Sequence, residues 1–370
     1  MSRDLVFVSA GLDLDGGGRA LAGRLLQSAC EEYARTRGLR VSVLALGNGG
    51  GPEGTRYFGT DQRRLAVEVW RRQLAFRNGR PARSPVFVFD LLGPARTQAW
   101  LPARMRAPYL IPLYGIEVWC PLSWERRRAL ERAAVRFAIS RHTIDRALPF
   151  APCLTGPPPT PVVPLALEER QAEGAVDAGL LRRLGLGYLL IVGRMASGER
   201  YKGHEQILEA LLQLPEARLV VVGEGDDRPR ISALAADLGL ARRVTFTGFV
   251  SEATLLELYR RAAVFVMPSL GEGFGLVYLE AMRAGKSCVA ARGSAAEEVV
   301  VHGQTGLLVG PAGTDQLTGE LTAALRTLLD SPDTARRMGE AGRRRWRDEF
   351  GADRFRARLE PLFDQLLGTA

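Results

Sequence analysis

Glu272 and Glu280 stand eight positions apart in a run that begins at Pro268, directly after the apolar stretch 263–267, and contains the glycine-rich segment Gly271-Glu272-Gly273-Phe274-Gly275. The layout predicts a strand, a tight turn and a helix beginning near Leu276. Glycine lets a backbone come close to a ligand because no side chain intervenes and positive φ is tolerated. A helix start near Leu276 adds unpaired N–H groups and the positive end of its dipole, so an anion such as a diphosphate fits at the turn of Gly271, Gly273 and Gly275. The two carboxylates flank that anion site, one in the turn and one a turn inside the helix. An ionised carboxylate only accepts hydrogen bonds and suits hydroxyl pairs, so the ligand that uses both carries hydroxyls on each side of a diphosphate. A nucleotide-sugar has that shape.

A second group of residues answers the same need. The apolar run 188–192 ends in Gly193-Arg194, and eight residues beyond that arginine comes Lys202-Gly203 at the head of a helical pattern. Two cations at the carboxyl end of a strand, where open parallel sheets bind ligands, neutralise a diphosphate without a metal. Lysine occurs only at Lys202 and Lys286 in a chain with 50 basic residues, so Lys202 is a point charge in an arginine background; Lys286 is expected at the surface. The next strand delivers Gly223-Glu224-Gly225 to the same edge, and the one after it Gly248-Phe249-Val250, where a nucleobase could pack.

These residues need a scaffold of parallel strands, and the sequence supplies two. In the first half, strands are expected at 5–9, 41–46, 86–89, 109–113, 137–140 and 162–163. Helical material lies between most of them, including a basic helix over 61–77 whose Leu65, Val69, Trp70 and Leu74 read as core. The stretch 47–57 reads as a glycine-rich loop. Around 152–164 six prolines and Gly156 interrupt every periodicity, which marks a domain boundary. Beyond it, strands at 188–192, 219–222, 244–246, 263–267, 287–290 and 306–309 alternate with helices, and the chain from 315 is helical.

Bulk properties narrow the function classes. With 370 residues the chain suits two domains, and 46% hydrophobic with 25% charged residues fits a globular protein. No run approaches the roughly 20 apolar residues of a membrane span. The opening enters a strand at once without a charged leader, so a cytoplasmic location is expected. Cys30, Cys120, Cys153 and Cys288 lack Cys-x-x-Cys spacing and read as reduced, mostly buried thiols. Asp13 and Asp15 read as turn formers rather than metal ligands. Residues 1–165 hold 24 Arg against 13 Asp plus Glu, whereas 166–370 hold 26 basic against 28 acidic residues. The basic charge therefore sits in the first half, suiting an anionic partner and peripheral contact with a membrane.

Over residues 188–309 the chain resembles the retaining, nucleotide-sugar-dependent glycosyltransferases of family 4. The matching residues are Gly193-Arg194 with Lys202-Gly203, Val221 to Gly225, Val244 to Gly248, Pro268-Ser269, Glu272 to Glu280, and Glu297-Glu298 with Gly303 and Gly306. Weaker matches are Gly16-Gly17, Tyr114 to Trp119 and Ala138 to Ser140. The resemblance implies an α/β GT-B fold: two Rossmann-like, doubly wound parallel-sheet domains facing across a cleft, with C-terminal helices. It implies an acceptor-side domain at 1–165, a donor domain at 166–350 and a last helix at 351–370 returning toward the first. Arg194, Lys202 and Glu272 would carry catalysis. Gly16, Gly17, Glu224, Val250, Gly273, Phe274, Gly275, Leu276 and Glu280 would bind the donor, with Glu280 on the ribose and Val250 near the base. No metal or cofactor is implied. The acceptor would be a glycan or lipid-linked hydroxyl, and nucleic acid is not expected. One position departs from the pattern: the family usually has His where this chain has Tyr114, and phenol does not titrate near neutrality as imidazole does. A nucleotide-sugar-binding protein with little catalysis is the alternative that this departure raises.

Overall fold

A computed structural model describes residues 3–11, 18–49, 54–77, 84–169, 173–310 and 316–368. The chain divides into two compact units, Met1–Ala166 with Ala352–Ala370, and Leu167–Gly351. Each is built on a six-stranded parallel sheet.

The first sheet contains β1 (Arg3–Ser9), β2 (Arg40–Ala45), β3 (Arg56–Tyr57), β4 (Ser84–Phe89), β5 (Tyr109–Leu113) and β6 (Val135–Ala138), in the order β3-β2-β1-β4-β5-β6. Leu5 to Val8 of central β1 pair with Val41 to Leu44 on one side and Val86 to Phe89 on the other. All four are buried. Strands covered on both faces read as continuous apolar runs, as these do. The second sheet contains β7 (Leu189–Val192), β8 (Leu219–Val222), β9 (Val244–Gly248), β10 (Val264–Met267), β11 (Cys288–Ala291) and β12 (Gly306–Val309), in the order β12-β11-β10-β7-β8-β9. In both, strand order reverses beside the central strand, which places the loops after neighbouring strands at one edge.

The helix Ala352–Gly368 packs on Gly18–Arg37 of the first unit: Tyr33 donates to Asp364 at 2.6 Å and its ring lies 5.0 Å from that of Phe363. Phe355, Leu359, Phe363 and Leu366 are buried, and each such side chain is worth about 1.5–3 kcal/mol.

The structure corrects several expectations. The stretch read as loop over 47–57 contains β3, a two-residue strand with an exposed arginine that shows no apolar run. Val162 makes only an isolated bridge to Ala138 because prolines deny the segment further ladder bonds. Leu74 is exposed, while Leu65 and Val69 of the same helix are buried. Lys286 is half-buried, and desolvation lowers its pKa. Of the free cysteines, Cys30 and Cys288 are buried, but Cys120 is exposed.

Candidate functional site

The second unit gathers its expected residues at the carboxyl ends of β7, β8 and β10. After β7 the chain enters a kinked 3-10 segment, Ser197–Lys202, before the helix His204–Leu212. The kink at Glu199 returns its carboxylate between the two cations that the sequence had marked. One oxygen pairs with the Arg194 guanidinium, and the other accepts from Lys202 Nζ at 2.6 Å. The Lys202 side chain is only 12% exposed, whereas that of Arg194 is 64% exposed. Lysine is therefore the fixed charge and arginine the adjustable one. The sequence does not single out Glu199, because an acid three residues before a lysine looks like an ordinary helical pair.

The glycine turn closes on this group. Leu270 N–H donates to Tyr201 carbonyl at 3.1 Å, which ties the turn to the 3-10 segment. Burial raises the pKa of Glu272, while Lys202 and the Ser269 hydroxyl, 3.3 Å away, pull it down. Gly275 has φ of 90° and begins the helix Leu276–Arg283 in a conformation that side-chain-bearing residues avoid. A Cβ there would lie 2.5 Å from the Tyr278 ring. Phe274 is buried against Phe350, with ring centroids 5.9 Å apart, which anchors the turn through its side chain. Gly273 and Leu276 flank it, both partly exposed.

Glu280 accepts from the Tyr259 hydroxyl at 2.7 Å; burial raises its pKa, and this hydrogen bond opposes the rise. Glu224 is paired with Arg228 beside Gly248. Val250 lines a cavity of about 560 Å³ with Phe249, Thr245, Thr247 and Arg183, and Phe249 is 77% exposed. The structure thus brings together Arg194, Lys202 and Glu272, with Glu280 along the following helix and Val250 at the edge strand. Gly16 and Gly17, like Asp13 and Asp15, lie outside the described residues. Among the described residues no group of three His, Cys, Asp or Glu side chains is placed to hold a metal ion.

In the first unit, Asp90 follows β4 and is buried. It accepts from Ser9 Oγ at 2.5 Å and from the Ala10 N–H at 3.1 Å. Desolvation pushes its pKa up to about 7 against these hydrogen bonds. Tyr114 is buried too, and desolvation reinforced by Asp90 and Glu117 raises its phenol far above neutrality. Its backbone N–H donates to Glu117 at 2.5 Å. The folded state keeps a proton on Asp90 up to about pH 7, whereas an unfolded aspartate releases it near about 4. Between those values the folded chain binds more protons, so this contribution to stability is complete below the window and lost as pH rises through it. Asp90→Asn is expected to flatten the fall of melting temperature with pH in that window, as thermal denaturation of both proteins across pH would show.

Comparison with known proteins places these features. Residues 181–345 match the sequence profile of "Glycosyl transferases group 1". A GDP-mannose-dependent alpha-(1-6)-phosphatidylinositol monomannoside mannosyltransferase of Mycolicibacterium smegmatis is 36% identical over 177 residues, 45% of each chain. An alpha-maltose-1-phosphate synthase of the same organism is 32% identical over 244 residues, 62% of each. The chain thus spans about half the length of the curated relatives it matches. Among solved structures, sucrose-phosphate synthase from Thermosynechococcus elongatus superposes with a TM-score of 0.77 at 20% identity, covering 100% of both chains. Anabaena Alr3699/HepE in complex with UDP-glucose gives 0.75 at 19% identity over 98% of this chain and 99% of that one. At such identities the likeness concerns the fold, which is the two-sheet GT-B arrangement. Over residues 181–345 the chain is similar to the glycosyl transferases of group 1, in keeping with the family 4 resemblance of its motifs.

Proposed function

We propose that the chain is a retaining glycosyltransferase that moves a hexosyl group from a nucleotide-diphosphate sugar to an acceptor hydroxyl. The observation that carries this reading is the meeting of Arg194, Glu199 and Lys202 with the turn that holds Glu272. In this reading the donor's diphosphate takes the place of the Glu199 carboxylate against Arg194 and Lys202. The amides of Phe274 and Gly275 add donors from the helix start. Glu272 holds sugar hydroxyls, Glu280 the ribose, and the base lies by Val250. Charge developing on the departing diphosphate is stabilised by cations and amides already in place, where most of the rate gain in such chemistry arises. The leaving phosphate helps to deprotonate the acceptor on the same face, so no protein nucleophile is required. The basic first half favours a lipid-linked or anionic glycan acceptor, a cytoplasmic location and peripheral membrane contact.

One relative's name specifies GDP-mannose and one structural neighbour was solved with UDP-glucose, so the test spans bases. Thermal shift with UDP, GDP, ADP and their hexose conjugates, run in chelator, is expected to show one nucleotide raising the melting temperature; a ligand at about 100 times its Kd adds about 2.7 kcal/mol. Absence of any shift, or a shift only after magnesium is added, would sink the reading.

The buried, non-titrating Tyr114 favours a second reading, donor binding with little catalysis. Calorimetric donor binding without sugar transfer or slow donor hydrolysis would select it.

A further inference from the structure

Among the described residues of the first unit, the large hydrophobic side chains left exposed are Val67, Leu74, Trp100, Ile116 and Trp124. Four of these five fall on three elements that lie side by side. The helix Gln62–Arg77 is tied to the 3-10 turn Arg96–Trp100 by a 2.9 Å hydrogen bond from Trp70 Nε1 to the Thr97 carbonyl, and by Arg96 to Gln62 at 3.3 Å. That turn is tied to the helix Trp124–Glu131 by Arg132, which donates to the carbonyls of Ala99 and Leu101. The right-handed crossovers that precede β4, β5 and β6 all run the same way across the sheet, so these elements share one face.

On this face Trp100 is 61% and Trp124 53% exposed, with their rings edge to face at 5.0 Å. A pair of indoles held in water costs apolar hydration. Arginines surround the pair. Arg128 lies over the Trp124 ring at 6.0 Å, Arg96 and Arg127 are exposed on the same two elements as the indoles, and Arg104 is exposed four residues beyond Trp100. At the other end, Arg56, Phe58, Arg63, Arg64, Val67 and Glu68 line a depression of about 330 Å³. Its one acid is already neutralised, because Glu68 is buried and paired with Arg56, Arg71 and Arg72. Over residues 62–77, 96–106 and 123–132 the chain carries 12 arginines and 3 glutamates.

We propose that this face, with Trp100 and Trp124 as its apolar anchors and Val67 and Leu74 on the neighbouring helix, seats the protein on an anionic lipid surface, with the basic depression at Arg56, Arg63 and Arg64 receiving a lipid phosphate. Charge complementarity selects this occupant: arginine draws the face to acidic headgroups, and indole prefers the depth where apolar ring and N–H donor are both satisfied. Among the described residues no helix is long and apolar enough to cross a membrane, so the contact is peripheral. The inference deepens the proposed function, resting on it for purpose, by naming where a lipid-linked acceptor is met.

The test is flotation of the whole chain with vesicles of phosphatidylcholine alone and of phosphatidylcholine with phosphatidylglycerol. Wild type is expected to float only with the acidic vesicles, less so as salt rises, with a blue shift of indole fluorescence. W100A/W124A is expected to lower partitioning by at least about tenfold and to abolish the blue shift; R127Q/R128Q lowers it by a similar factor, since each arginine near such a surface is worth roughly fivefold. All four positions are exposed, and unchanged melting curves verify that the variants fold. Wild-type flotation that ignores lipid charge, no flotation, or a double tryptophan variant that floats normally would each overturn the inference. So would an indole shift produced by a soluble glycan but not by vesicles. Donor thermal shift on the same proteins separates the two claims: acidic-vesicle binding without any nucleotide response leaves this surface standing while the transferase reading falls.

Discussion

Replacing Lys202 by alanine is expected to lower turnover by at least about tenfold, the consequence of losing roughly 1.4 kcal/mol of transition-state stabilisation. Two features of the structure make this the most sensitive side chain. Lys202 is nearly buried, so its charge is poorly screened, and it is held within 2.6 Å of Glu199 and near enough to Glu272 to oppose the rise that burial gives that carboxyl's pKa. Removing the ammonium therefore takes away the proposed phosphate partner and also leaves Glu199 and Glu272 to repel the incoming diphosphate. Arg194→Ala is expected to cross the same tenfold threshold but to damage donor binding less, because its exposed guanidinium is better screened. Steady-state kinetics with calorimetry of donor binding checks both, and a near-normal rate in either variant refutes that residue's role. The order of the two is informative in itself. If arginine mattered more than lysine for donor affinity, the diphosphate would sit outward of the position that Glu199 marks.

The unequal roles of these two cations also show where sequence reading stops. Gly193-Arg194 and Lys202-Gly203 can be read from the chain because an apolar strand ending in glycine announces a sheet edge, and five of the six strands of the second sheet show as short apolar runs, β9 alternating as Val-Thr-Phe-Thr instead. Glu199 could not be read so, since its place between Arg194 and Lys202 depends on a kink in a 3-10 segment that has no sequence signature. The same limit applies to Tyr259 and Glu280, 21 residues apart and joined only when the helices Glu252–Arg261 and Leu276–Arg283 pack. In the first unit, β3 is too short to show periodicity. Leu74 reads as core in the sequence because spacing places a residue on a helix face without saying what covers that face. Burial of Tyr114 and Asp90, which decides what either can titrate, is a property of the assembled sheet and not of their neighbours in sequence.

Gly223→Ala is expected to destabilise the second unit more than any single removal of a surface charge. Gly223 leaves β8 with φ of 131°, donates its N–H to the Gly248 carbonyl at 3.1 Å, and lies so close to β7 that an added Cβ would collide with the Gly193 backbone. Two costs combine: a strained backbone angle at roughly 1–3 kcal/mol and overpacking against atoms that cannot rotate away, typically 1–3 kcal/mol. Together they approach the whole stability of a marginal domain, about 5–15 kcal/mol. The natural control is Gly187→Ala, where φ is 79° but nothing lies within 4 Å of the new methyl group, so only the backbone term applies. Denaturant unfolding of both variants should give a clearly larger loss for Gly223→Ala; equal losses would mean that the close approach of β7 and β8 is not constrained. Because the Gly193 carbonyl that must move immediately precedes Arg194, the Gly223 variant should also weaken nucleoside diphosphate binding at temperatures where it remains folded, and the Gly187 variant should not. That separation makes the tight contact of two backbones, rather than any side chain, the element that fixes where the adjustable cation can reach.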